Sequence, residues 1–140
     1  MQTKKEKKTP GAGIIVIKYF GDIPKILGLM KNGTFDLPKG SIEPGENIIH
    51  AAFRETEEES SIRNLSFPWG MRYIALDSLT LFIAVTDEDP VIKKNPDTGI
   101  FEHDFAKWLH FKEEGNFKKG LRPAVQWAKS IVSGGDNVNL

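Results

Sequence analysis

Cysteine is absent from the 140-residue chain, which excludes a disulfide scaffold and any thiolate nucleophile or metal ligand. Neither sign of charge is in excess, because Lys and Arg number 19 and Asp and Glu number 19. No global field therefore draws the protein to nucleic acid or acidic lipid. Apolar runs such as Ile14–Ile17 are short, whereas a membrane helix needs ~20 apolar residues. We expect a soluble, cytoplasmic protein with no membrane partner; its oligomeric state stays open.

The two ends of the chain differ in composition from the part between them. Residues 1–10 are rich in lysine, and residues 134–140 are rich in Gly and Asn. Neither stretch offers a pattern of apolar side chains that could pack. We predict a disordered basic tail over residues 1–10, one domain over 11–133 and a flexible tail over 134–140.

Strand and helix patterns alternate along the predicted domain. Residues 32–46 are rich in Gly and Pro, which predicts a segment that is mostly loop. The predicted strands are 12–20, 24–31, 71–76, 79–86 and 105–111, with a short one at 91–93, and the predicted helices are 46–60 and 121–132. Strands on both sides of a central helix, followed by a closing helix, indicate an α/β domain with a mixed sheet covered on two faces.

The central helix carries the crowded segment RETEEES, residues 54–60. At about 100° per residue, Glu55, Glu58 and Glu59 share an arc of roughly 100°, and Glu57 points elsewhere. The pattern predicts that this arc flanks a buried stripe of Ile49, Ala52, Phe53 and Thr56, spaced i, i+3, i+4, i+7.

Two interpretations of the carboxylates are open on these residues alone. Most glutamate-rich helices present a solvated face, but carboxylates this close repel each other unless a cation lies among them. Mg²⁺ and Mn²⁺ prefer such oxygen ligands, and Mg²⁺ often shares its site with a phosphate. The preceding loop, LPKGSIEPGE, offers backbone N–H groups at Gly40 and the charge of Lys39 for an anion. The combination favours metal-assisted attack on a phosphoanhydride.

The spacing of these residues resembles the motif of the Nudix hydrolase family, G-x5-E-x7-R-E-U-x-E-E-x-G-U, where U is a bulky apolar residue. Matching positions are Gly40, Glu46, Arg54, Glu55, Glu58, Glu59 and Ile62. Thr56 stands at an apolar position. Ser61 replaces the glycine that ends the helix, where a left-handed backbone is common.

The resemblance implies an α/β/α sandwich with a mixed sheet, in which the motif forms a loop–helix–loop, and an enzyme that hydrolyses phosphoanhydride bonds with Mg²⁺ or Mn²⁺. Glu58 and Glu59 resemble metal ligands, and Glu55 resembles a metal ligand or the general base. Arg54 resembles the residue that orients a motif glutamate and can reach Glu58 at i+4. Glu46 resembles a residue that orders the loop. Lys39 and Gly40 are the phosphate-binding candidates.

A second segment, Glu102-His103-x4-Trp108, resembles the E-H-x4-W segment of the asymmetrically cleaving diadenosine tetraphosphate hydrolases, a branch of the same family. By that resemblance Glu102 is a further metal ligand or the catalytic base. His103 by itself reads as a polar loop residue, and Trp108 as a core residue. The branch's phosphate-gripping lysines have no match, and its adenine-stacking tyrosine has only Tyr73 and Phe82 as candidates.

The favoured function is thus metal-dependent cleavage of a dinucleoside tetraphosphate to a nucleoside triphosphate and monophosphate. Removal of pyrophosphate from RNA 5′ ends or from nucleoside triphosphates is the alternative with the same chemistry. RNA is only weakly indicated, by the lysine-rich tail. A nucleotide-binding module without hydrolysis is the alternative of another class, although such modules usually lose motif glutamates. The base and the length of the phosphate chain stay open.

Overall fold

The structure, a computed structural model, describes residues 9–134. Most of the two predicted tails, residues 1–8 and 135–140, therefore lies outside the described residues. Pro10, predicted to belong to the first tail, joins the folded domain, because its carbonyl accepts a hydrogen bond of 2.9 Å from the backbone N–H of Ile42.

Within residues 9–134, seven strands form one mixed sheet of order β3-β2-β1-β6-β5. β4 pairs with one end of β1, and β7 pairs with β2. Only the β1–β6 pair is parallel among these ladders. The strands are β1 Gly11–Phe20, β2 Ile23–Lys31, β3 Thr34–Asp36, β4 Lys39–Ser41, β5 Tyr73–Leu76, β6 Leu79–Val85 and β7 Phe105–Leu109.

The central strand β1 is buried on both faces, and its side chains alternate between two cores. Ile14 and Val16 face the core under helix α1, Ile48–Ser60. Ile15 and Ile17 face the core under helix α2, Arg122–Val132. The predicted α/β/α sandwich is therefore confirmed. None of the helices in the described part of the chain has the length and hydrophobicity to cross a membrane.

Several predicted boundaries were wrong. Residues 91–93 form no strand; instead the N–H of Val91 donates to the carbonyl of Ser60 at the end of α1. β7 ends at Leu109, because a 3₁₀ helix, Phe111–Asn116, begins there and is followed by a second one, Lys119–Leu121. Residues 32–46 are mostly loop, as predicted, and also contain the short strands β3 and β4.

Candidate active site

Helix α1 presents its glutamates along one edge because its buried side is fixed against the sheet. The helix begins after Asn47, whose Oδ1 accepts the N–H of His50 at 2.8 Å as a normal N-cap. Ala52 and Thr56 are fully buried. The Thr56 hydroxyl donates to the Ala52 carbonyl at 2.8 Å, which satisfies a polar group at an apolar position of the motif. The carboxylates flanking this stripe are Glu55, Glu58 and Glu59.

Arg54 links the start of the helix to its carboxylate edge. Its guanidinium donates twice to Glu46, at 2.8 and 2.9 Å, and also reaches Glu55 at 2.9 Å and Glu58 at 3.3 Å. Glu46 in turn accepts the N–H of Glu43 at 3.0 Å. Arg54 and this N–H lower the pKa of Glu46 to about 2. These are the contacts that an orienting Arg54 and a loop-ordering Glu46 require.

Glu59 lies where the helix edge meets strand β4. Its Oε1 accepts the N–H of Lys39 at 3.1 Å. The pKa of Glu59 rises to about 9, chiefly because the carboxyl is buried. The hydrogen bond from the Lys39 N–H lowers the pKa, and the negative charges of Glu55, Glu102 and Asp36 raise it further. Glu59 is therefore a carboxylate whose negative charge the protein itself does not compensate.

Gly40 lies against the Glu55 carboxylate so closely that a Cβ at position 40 would overlap it. The motif glycine thus makes room for Glu55 above β4. Burial raises the pKa of Glu55, and its ion pair with Arg54 works in the opposite direction. The arrangement keeps a second partly buried carboxylate beside Glu59.

Glu102 approaches this edge from the loop before β7. Its Oε1 accepts a hydrogen bond of 2.6 Å from Nδ2 of Asn95, and the Asn95 side chain also caps the turn through the N–H of Asp97. Ligand atoms of Glu59, Glu102 and His103 lie within 4.8 Å of one another. The structure therefore brings Glu102 to the helix glutamates, in a cleft lined by Glu55, Glu58, Glu59, Ile92, Lys93, Asn95, Pro96, Glu102 and His103.

His103 lines the cleft and Asp36 lies beside it; the sequence interpretation gave neither residue a role in the site. His103 lies in the loop before β7, as predicted, but it is only 6% exposed. Its Nε2 lies 3.9 Å from Oδ2 of Asp36. Lys118 and Lys39 also contact that carboxylate, with Nζ–Oδ2 distances of 2.9 and 3.4 Å. Burial alone would raise the pKa of Asp36, but His103 and the two lysines hold it well below its usual range.

The remaining predicted residues lie elsewhere or point differently. Lys39 directs its ammonium group to Asp36, and only its backbone N–H contacts a cleft carboxylate. Phe82 is buried, and Tyr73 is 58% exposed; their rings pack with centroids 5.9 Å apart, and neither lines the carboxylate cleft. Trp108 is partly buried against the α1 core. Base stacking by Tyr73 or Phe82 stays a prediction.

The chemistry of the donor set fits a hard divalent cation. Glu55, Glu58 and Glu59 offer carboxylate oxygens, which Mg²⁺ and Mn²⁺ prefer. Of the three, Glu55 and Glu58 contact Arg54, and Glu59 has no cationic side chain within salt-bridge distance among residues 9–134. A bound cation would therefore offset charge that the fold leaves uncompensated, and these residues are the ones that would hold it.

The sequence model of the NUDIX domain family matches residues 8–128. The chain belongs to the Nudix family. Membership of this family supports an enzyme that acts on phosphoanhydride bonds.

Solved structures of Nudix proteins share the fold at low sequence identity. An Ap4A hydrolase of C. elegans, in a binary complex, superimposes with a TM-score of 0.71 at 18% identity, over 91% of this chain and 99% of that one. A dihydroneopterin triphosphate pyrophosphohydrolase of E. coli gives 0.58 at 20% identity, over 86% of this chain and 97% of that one. At these identities the likeness establishes the fold alone.

A curated relative is similar over part of its length. An RNA pyrophosphohydrolase of Pelagibacter ubique (strain HTCC1062) is 39% identical over 59 residues, which cover 39% of this chain and 35% of that protein. The matched region therefore spans about a third of the relative.

Proposed function

We propose that the protein is a divalent-metal-dependent pyrophosphohydrolase that cleaves dinucleoside tetraphosphates asymmetrically to a nucleoside triphosphate and a nucleoside monophosphate. The observation that carries the proposal is the position of Glu102. A carboxylate distant in sequence from the helix lies with Glu59 in one cluster whose ligand atoms are within 4.8 Å. The resemblance to the tetraphosphate branch requires such a carboxylate at this position.

The contacts of the cleft residues suggest a different role for the glutamates and for Arg54. Glu55, Glu58 and Glu59 would hold Mg²⁺ or Mn²⁺, and the cation would supply charge neutralisation at phosphate oxygens and activation of water. Arg54 fixes the carboxylates of Glu55 and Glu58, so that little reorganisation is needed when substrate binds.

Glu102 has one of two roles in this proposal: a further ligand of the cation, or the general base that accepts the proton of the attacking water. It is exposed, the hydrogen bond from Asn95 orients its Oε1, and one of its oxygens lies within 4.8 Å of a Glu59 oxygen. A base at hydrogen-bonding distance from the water contributes typically ~10²–10⁴-fold to the rate. Glu55, whose pKa is raised by burial, is the other carboxylate able to act as a base.

A second candidate, removal of pyrophosphate from triphosphorylated RNA, is favoured by the similarity to the Pelagibacter ubique protein. The two substrates share the phosphoanhydride bond and differ in what lies beyond the phosphate chain. Lys18 and Arg63 line an open groove at the far end of β1 and β6, but their ion pairs with Asp89 and Glu57 reduce the positive charge offered to RNA.

One hydrolysis screen separates these substrates. Diadenosine tetraphosphate, nucleoside triphosphates, nucleotide sugars and 5′-triphosphorylated RNA are incubated with the protein and Mg²⁺ or Mn²⁺, and the products are identified by chromatography. The proposal expects the highest kcat/KM for the tetraphosphate, with ATP and AMP as products. Two molecules of ADP as products, or faster turnover of triphosphorylated RNA, would contradict it.

A further inference from the structure

His103 is the one histidine that lines the cleft, and its burial is unusual for a side chain that borders a polar site. Only 6% of the residue is exposed. Its contact with Asp36, at 3.9 Å, is too long for a hydrogen bond. His103 thus offers a ring nitrogen that can serve as a ligand in the cleft.

The partner available on the cleft side is a cation. A ring nitrogen of His103 and carboxylate oxygens of Glu59 and Glu102 lie within 4.8 Å of one another. Donor atoms on opposite sides of a Mg²⁺-sized ion are about 4 Å apart. A shift of less than about 1 Å in these side chains would therefore bring three donor atoms to one ion. Rotation of a carboxylate is enough to produce a shift of this size.

Asp36 is placed to support a metal-binding histidine once the 3.9 Å gap between its Oδ2 and Nε2 of His103 closes to a hydrogen bond. Such histidines almost always have a carboxylate or carbonyl behind the ring that fixes its orientation. Asp36 is buried on β3, and Lys118 and Lys39 fix its own carboxylate. The carboxylate thus lies next to the His103 ring and is itself held in place.

We propose that His103 supplies a ring nitrogen to the divalent cation bound by Glu59 and Glu102, with Asp36 as the positioning residue. This inference rests on the proposed metal dependence and makes it more specific. Imidazole suits transition metals, whereas an all-oxygen site suits Mg²⁺. A nitrogen donor therefore shifts the selectivity of the site from Mg²⁺ towards Co²⁺.

The spectroscopic test uses the Mn²⁺-loaded protein. The chain contains three histidines, His50, His103 and His110, and pulsed EPR detects nitrogen coupled to bound Mn²⁺. Protein labelled with ¹⁵N only at histidine should show a ¹⁵N signal. That signal should persist in the His50→Gln/His110→Gln double variant and be lost in His103→Gln. Bound Mn²⁺ with no histidine signal in the unsubstituted protein would overturn the inference.

The selectivity test compares metal affinities by calorimetry. In His103→Gln the ratio of Co²⁺ to Mg²⁺ affinity should fall at least about 10-fold, the lower end of the loss seen even for residues that only support a ligand. The His50→Gln/His110→Gln variant should keep the ratio of the unsubstituted protein. An unchanged ratio in His103→Gln would contradict the inference and leave the glutamate site intact.

Failure of the inference is distinguishable from failure of the proposed function. If Mn²⁺ binds without a histidine signal and the tetraphosphate is cleaved, only the role of His103 is wrong. If the unsubstituted protein binds no divalent cation, both proposals fail. Because the EPR result on the unsubstituted protein needs no variant, a His103→Gln protein that fails to fold does not remove the test.

Discussion

Glu46 and Glu59 are both glutamates at the junction of helix α1 with the preceding loop and strand, and the protein treats their charges in opposite ways. Glu46 has a guanidinium and a backbone N–H as partners, and its pKa falls to about 2. Glu59 has one backbone N–H and faces Glu55 and Glu102, and its pKa rises to about 9. Arg54 balances the charge of Glu46, whereas no cationic side chain among residues 9–134 lies within salt-bridge distance of Glu59. The comparison separates a glutamate that organises structure from one that, in the proposed function, would bind a cation.

The largest expected effect follows from neutralising the uncompensated charge. Glu59→Gln keeps the size and the oxygen that accepts from Lys39, so the fold should persist while a metal ligand is lost. We expect kcat to fall by more than ~10²-fold, the scale of a group that acts on the transition state. Steady-state kinetics with Mg²⁺ measures this, and Glu58→Gln should also lose most of its activity. Near-normal turnover in Glu59→Gln would contradict its place at the metal.

The second prediction extends the comparison to the carboxylate outside the helix. Glu102→Gln retains the oxygen bound by Asn95, so the loop should keep its conformation. Glu102 is expected to act, as a base or a ligand, mainly in the transition state. The Glu102→Gln substitution should therefore lower kcat by at least ~10²-fold and change KM less.

The matched control for Glu102 is Glu57→Gln, because Glu57 points away from the cleft and pairs with Arg63 at 3.4 Å. Its kinetics should be close to those of the unsubstituted protein. If both variants behave alike, Glu102 is not a catalytic residue and Glu55 becomes the leading candidate for the base.

The third prediction uses stability and expects opposite signs for the two glutamates. Glu46→Gln weakens charge-assisted hydrogen bonds to Arg54, so the melting temperature should fall. Glu59→Gln removes a charge that burial and neighbouring carboxylates disfavour, so the melting temperature of the metal-free protein should rise. Thermal denaturation in EDTA gives both values. Shifts of the same sign would mean that Glu59 is compensated by contacts within the protein.

The smallest expected effect concerns the end of α1. Ser61 has φ 65° and ψ 7°, a left-handed conformation that costs a non-glycine residue roughly 1–2 kcal/mol. Its hydroxyl donates to the carbonyl of Val91 at 2.7 Å, which contributes about 0.5–1.5 kcal/mol. Ser61→Gly relieves the backbone strain and loses the hydrogen bond, so the net stabilisation should be small, about 0.5 kcal/mol.

Ser61→Ala separates the two contributions, since it loses the hydrogen bond and keeps the strain. Urea denaturation should rank the glycine variant above the alanine variant by about 1 kcal/mol. Equal stabilities would show that the left-handed conformation costs nothing at this position.

The features that sequence predicted well are those fixed by local geometry. The period of the helix placed Glu55, Glu58 and Glu59 along one edge, with Ala52 and Thr56 buried. The left-handed backbone of Ser61 followed from its place at the end of the motif. Both the shared edge of the glutamates and the backbone conformation of Ser61 are determined by local spacing along the helix.

The features that sequence did not predict depend on residues far apart in the chain. His103 was read as a polar loop residue because nothing near it in sequence indicates burial; contacts with Asp36 on β3 and with the helix edge bury it. Asp36 itself lies between Phe35 and Leu37, both buried. The one feature of the sequence that could have indicated these contacts is the single carboxylate of Asp36 between two apolar residues.

The most direct test of the central claim is calorimetric titration of Mn²⁺ into metal-free Glu59→Gln and Glu57→Gln proteins beside the unsubstituted protein. These two variants carry the same charge change on the same helix, and only Glu59 lies in the carboxylate cleft. The account predicts that Glu57→Gln binds Mn²⁺ like the unsubstituted protein and that Glu59→Gln binds at least about 10-fold more weakly. Equal affinity in all three proteins would contradict it.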